Sequence, residues 1–123
     1  LETAKAYATN KDGPYYHYYR SIVTKMVSNG RAGLFKRDQS APDSSVTVEG
    51  VLDDLVIWGT PDKVADDLMA FREETGDFGT LLYAGHDWQD RDLAIRSMEL
   101  MAEKVMPQIN RNIGSSDSEA ATQ

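Results

Sequence analysis

The chain has 123 residues, of which 41% are apolar and 27% charged, and it contains no cysteine. A chain of this length buries roughly 65% of the surface its unfolded form exposes, enough for a hydrophobic core. The missing cysteines exclude a disulfide scaffold, a thiolate zinc site and a cysteine nucleophile. With 20 acidic against 13 basic residues the formal charge is −7, and no basic stripe suited to nucleic acid is present. No apolar run is long enough to span a membrane and no secretory leader is visible, so a cytoplasmic protein is expected. The chain opens on Leu1 rather than methionine, and from this we expect a segment of a longer polypeptide.

In chain order, residues 1–10 read as a helix rich in alanine, stopped at Asn10. Lys11-Asp12-Gly13-Pro14 is a break, with Pro14 where a first-turn proline is tolerated. A second helix is predicted over residues 15–28, because Tyr15, Tyr16, Tyr19, Ile22, Val23, Met26 and Val27 form one broad apolar stripe. Asn29-Gly30 ends it, since both accept the left-handed conformation that closes helices. Residues 31–49 lose periodicity, and the Gln, Ser, Pro and Asp content of residues 39–45 is that of a loop. Val46, Val48 and Val51 fit either a short strand or a helix start.

Residues 55–58, Leu-Val-Ile-Trp, form a continuous apolar run bounded by Gly59. Such a run suits a strand covered on both faces. Thr60-Pro61-Asp62-Lys63 is a helix entry, with a hydroxyl cap, a proline at the first position and an acid in the first turn. That helix, with Val64, Leu68 and Phe71 on one face, runs to Thr75-Gly76. After Asp77-Phe78-Gly79, a second strand is predicted over residues 80–84. Residues 85–90 form a loop in which Asp87 or Asp90 caps the next helix. That last helix covers about residues 91–106, with Leu93, Ser97, Leu100, Met101 and Val105 near one face, until Pro107 breaks or kinks it. Residues 114–123 carry mostly Ser, Ala and acids and read as a disordered tail, which leaves residues 1–113 as the folded domain.

The succession strand, helix, strand, helix is that of two consecutive units of a β/α barrel or of an open doubly wound sheet. Two strands make neither alone, because bare sheet edges leave backbone groups unpaired.

The stretch VIWGTPDKVADDLMAFREETGDFGTLLYAGHDW, followed by IRSMELMAEKVMPQIN, resembles the C-terminal end of the bacterial luciferase-like, flavin-dependent monooxygenases. The matching features are the Gly59-Thr60-Pro61 turn, Val64, Gly76 with Phe78, Ser97-Met98-Glu99-Leu100 and Val105-Met106-Pro107. The Tyr-rich helix at residues 15–28 is similar to the helix before the last two barrel strands of that family. The resemblance implies an α/β fold: the C-terminal part of a (β/α)8 TIM barrel, about two strand-helix units plus preceding helices. It also implies reduced FMN from a separate flavin reductase, with a deazaflavin in some relatives, and oxygen from O2 inserted into a small organic substrate. Much of the flavin-phosphate site and catalytic apparatus lies upstream in that family, so this stretch by itself is expected to be inactive.

In a barrel the loops after strands line the active site, which nominates two loops. In the first, Gly59 and Thr60 open a helix whose amide end could receive a flavin phosphate. The same residues are also the plainest helix start, and Pro61 has no amide hydrogen to offer. In the second, His86 is the candidate catalytic proton donor or acceptor and Trp88 the candidate flavin-stacking side chain. His17, among four tyrosines at residues 15–19, reads as part of a packing cluster. No two histidines share a helix face at ligand spacing and the carboxylates lack a partner arrangement, so no metal is expected. A homo-oligomer is compatible with the sequence. The competing reading is a non-catalytic α/β interaction module.

Overall fold

The computed structural model describes residues 1–83 and 90–120. The chain divides into two compact units, Leu1–Val56 and Ile57–Gln123.

In the first unit, α1 (Glu2–Thr9) and α2 (Pro14–Ser28) are joined by the expected break at Gly13-Pro14, with Pro14 opening α2. The stripe of α2 is buried as its period requires: Tyr15, Tyr16, Tyr19, Ile22, Met26 and Val27 are half-buried and Val23 is buried, while His17, Tyr18, Arg20 and Thr24 are exposed. The Asn29 N–H then closes α2 on the Lys25 carbonyl at 3.2 Å. Two 3-10 turns follow, Ala32–Phe35 and Asp43–Ser45. The loop between them is not loose. Lys36 Nζ donates to the Ala41 carbonyl at 2.8 Å and pairs with the Asp43 carboxylate, and Gln39 Nε2 donates to the Gly33 and Lys36 carbonyls. Helix α3 (Val48–Leu55) starts at Thr47, whose hydroxyl accepts from the Gly50 N–H at 3.1 Å, so Val48 and Val51 lie in a helix and not a strand, while Val46 precedes the cap. Helix α2 packs on α1, α3 and the first 3-10 turn, and Ala8, Pro14, Val23, Ala32, Val51 and Leu52 are buried in this unit.

The second unit holds α4 (Pro61–Thr75), α5 (Arg91–Leu100), a π turn (Met101–Val105) and α6 (Met106–Ala120). Its core is Ala65 and Leu68 of α4 against Val105 and Ile109, ringed by Val64, Met69, Met101, Met106 and Ile113. Pro107 does not end the helix. Proline cannot donate to the carbonyl four residues back, and its ring crowds that carbonyl. The wider π turn stands at this place, with the Met106 N–H reaching the Met101 carbonyl, and the chain then stays helical. The backbone remains helical past Gly114 to Ala120, where composition reads as a tail.

The α/β expectation is overturned: among the described residues there is no strand and no sheet, and the regular elements are helices. The fold is therefore not a two-unit piece of a (β/α)8 barrel. Leu55, read as the start of a strand, is the last residue of α3, and the Val56 N–H closes that helix on the Leu52 carbonyl at 3.0 Å. Residues 57–58 and 80–83 adopt no regular structure, and Ala84 lies outside the described residues. The physical reason is that an apolar, β-branched run carries only half of what makes a strand. The other half is a neighbour that takes up its N–H and C=O groups, and these two runs do not pair. Their side chains stay in part solvent-facing, with Ile57 41% and Leu82 83% exposed.

Candidate functional site

The candidate turn is built by residues 58–63. Gly59 has φ +145°, a conformation that side-chain-bearing residues rarely adopt. A Cβ at this position would stand 2.7 Å from Lys63 Cδ and 3.3 Å from Lys63 Cβ. Glycine thus lets Lys63 fold back over the turn. The Lys63 ammonium donates to the Trp58 carbonyl at 3.1 Å and to Asp67 Oδ2 at 2.6 Å, and lies 5.2 Å from the centre of the Trp58 ring. Thr60 is the N-cap of α4, its hydroxyl accepting from the Lys63 N–H at 3.4 Å, while its carbonyl accepts from the Val64 N–H at 2.9 Å.

Much of what a flavin phosphate would use at this turn is already engaged. An anion at a helix N-terminus is held by free amides and by uncommitted cations. Here Pro61 has no amide hydrogen and the amide of Lys63 is taken by the Thr60 hydroxyl. The Lys63 charge is engaged by Asp67, and Asp62 adds a carboxylate in the first turn. Gly59 and Thr60 thus start a helix, and Lys63 anchors the tryptophan before it. Lys63 belongs to the expected helix entry, but its clamp on Trp58 was not anticipated. The available signal was its spacing to Asp67, the i, i+4 arrangement of an ion pair on one helix face.

His86 and Trp88 lie outside the described residues. The segments on either side of them are fixed. Before them, the Tyr83 hydroxyl and Ser97 Oγ are hydrogen-bonded at 2.7 Å, tying residue 83 to α5. After them, Asp90 Oδ1 accepts from the Leu93 N–H at 3.0 Å, so Asp90 is the cap of α5.

Two depressions belong to the second unit. One, of about 660 Å³, lies among Pro61 and Asp62 of α4 and Arg96, Leu100, Glu103, Lys104 and Arg111 of the α5–α6 helix. Its charged lining mixes three cations with two carboxylates, so it favours neither sign strongly. The other, of about 340 Å³, is an open apolar cleft at the end of α4, lined by Phe71, Phe78 and Leu81. The Phe71 and Phe78 rings are 6.1 Å apart across Gly76, and Arg72 pairs with Asp77 at 2.7 Å across the same turn. Neither depression includes Gly59 or Thr60.

In the first unit the aromatic cluster packs internally. Tyr7 and Tyr15 meet edge to face at 5.8 Å, Tyr18 and Tyr19 at 5.2 Å, and the Tyr16 hydroxyl donates to Glu49 Oε1 at 3.4 Å. Burial raises the Tyr19 hydroxyl above the ordinary tyrosine range. Glu49 is held below the usual carboxylate range by its own backbone N–H and by Lys11, 3.2 Å away, and its hydrogen bond to Lys11 raises the ammonium in turn. Asp38 is lowered by hydrogen bonds from Ser40. Exposed on α2, His17 has no place in a metal-binding group: among the described residues, no three His, Asp or Glu side chains converge for one. Among the described residues no helix is long and apolar enough to cross a membrane.

No protein-family model matches the chain, and no solved structure matches it significantly. Curated relatives do. The chain is 32% identical over 76 residues to limonene 1,2-monooxygenase of Rhodococcus erythropolis, covering 61% of this chain and 20% of that protein. It is 28% identical over 100 residues to 3,6-diketocamphane 1,6-monooxygenase of Pseudomonas putida, covering 80% of this chain and 26% of that protein. It is 41% identical over 57 residues to 4-hydroxyprotoasukamycin monooxygenase of Streptomyces nodosus subsp. asukaensis, covering 46% and 15% respectively. The chain thus spans about a quarter or less of the length of these relatives, and over that span it is similar to proteins named as monooxygenases.

Proposed function

We propose that this chain is part of a flavin-dependent monooxygenase of the luciferase-like family, which uses reduced FMN and O2 to oxygenate a small organic molecule. The observation that carries the reading is the similarity to three proteins named as monooxygenases. The ordered set Gly59-Thr60-Pro61, Val64, Gly76-Phe78 and Val105-Met106-Pro107 supports the luciferase-like part of the reading. The names limonene and diketocamphane monooxygenase point to compact, weakly polar substrates. A separate reductase would supply the flavin, in the cytoplasm, and some members of such a family would take a deazaflavin instead.

The chain's own residues have limited parts in this reading. Gly59 and Thr60 shape the start of α4, and the flavin phosphate falls to residues other than these. His86 is assigned to proton transfer at its imidazole, and Trp88 to stacking on the flavin. These 123 residues alone are assigned no turnover.

The test uses the protein encoded by the whole reading frame that contains this sequence. Supplied with FMN, a flavin reductase, NADH and air, it is offered limonene, 3,6-diketocamphane and a panel of terpenes and cyclic ketones. Mass spectrometry should find a product one oxygen atom heavier that disappears when flavin or O2 is withheld. A folded protein that neither binds FMN nor yields such a product overturns the reading.

A second reading, a non-catalytic helical interaction module, is favoured by the exposure of Phe71, Phe78, Leu81, Leu82 and Tyr83. A stable, flavin-free oligomer in sedimentation would support it.

A further inference from the structure

We draw no further inference here: the strongest candidate, the open apolar cleft lined by Phe71, Phe78 and Leu81 at the C-terminal end of α4, is an exposed hydrophobic face and nothing in the structure shows what covers it.

Discussion

The Lys63 ammonium stands 5.2 Å from the centre of the Trp58 ring and 3.1 Å from the Trp58 carbonyl oxygen, so one side chain holds both ends of the same residue. The contact closes the turn through Gly59 and sets the direction in which the chain enters α4. A solvent-accessible cation over the half-buried Trp58 indole contributes about 0.5–1 kcal/mol, and the i, i+4 pair with Asp67 about 0.3–0.5 kcal/mol. Lys63→Ala should therefore cost about 1 kcal/mol in chemical unfolding. In a Trp88→Phe background, which leaves Trp58 as the reporting indole, the variant should also shift tryptophan emission to the red. An unchanged emission spectrum would mean that Lys63 does not anchor the ring.

Gly59 tests the same turn from the backbone side. At φ +145° a Cβ is strained wherever it points, and here it also meets Lys63. Gly59→Ala should destabilise by about 1–3 kcal/mol. Combining it with Lys63→Ala should recover only part of the loss, because truncation removes the 2.7 Å contact with Cδ but leaves the backbone conformation strained. Full recovery in the double variant would make the clash, and not the dihedral angle, the whole cause.

Thr60 separates a cap from a ligand. As an N-cap, Thr60→Ala should lose about 1 kcal/mol, toward the lower end of the usual range because its hydrogen bond is long at 3.4 Å. Thr60→Ser should keep most of the stability. In the flavin-binding protein that contains this segment, neither change should alter FMN affinity beyond what the stability loss explains. A selective loss of FMN affinity in Thr60→Ala would show that the hydroxyl is a phosphate ligand after all.

How far the sequence could be read depends on how local each signal was. The stripe of α2, its proline entry and its Asn29 stop are decided within one or two helical turns, and the structure follows them residue by residue. The cap at Thr60 and the Asp90 alternative for α5 are local in the same way. Residues 55–58 and 80–84 read as strands on composition, but a strand is defined by a partner, which no local pattern supplies. Leu55 was instead drawn into α3 by the Thr47 cap eight residues earlier. Of the two outcomes expected at Pro107, the break is excluded, because a π turn before it absorbs the missing donor and the helix goes on. Of the candidate site, the Gly59–Thr60 turn was legible as a helix start, whereas the Lys63 clamp became visible only with the side chains in place.

Glu49 predicts a pH response. Its folded-state carboxyl is held below the ordinary value, first by its own backbone N–H and then by Lys11. A depressed carboxylate contributes stability above its unfolded value, about 4.3, and loses it as pH falls through the lower folded value. Lys11, raised by Glu49, behaves oppositely: its contribution is present below about 10.4 and disappears as pH rises through the higher folded value. Unfolding curves from pH 6 to 2 should therefore fall less steeply for Glu49→Gln than for the parent chain. Both groups are solvent-exposed, so the difference should shrink in high salt. Identical acid limbs would remove Glu49 from the account.

The core of the second unit is tightest at Ala65, which is 0% exposed and packs with Leu68, Val105 and Ile109. Alanine is uninformative in a hydropathy pattern, yet it lets α4 approach the α5–α6 helix closely. Added methylenes here have no space without displacing Val105 or Ile109, so Ala65→Leu should cost about 1–3 kcal/mol. Leu68→Ala, which opens a cavity in the same layer, should cost about 2–5 kcal/mol. The two losses have opposite origins, excess and deficit of volume at neighbouring positions. The double variant should therefore be more stable than the sum of the single losses implies, since residues in contact couple. Strict additivity in chemical denaturation would place the two side chains in separate environments and refute this packing of α4.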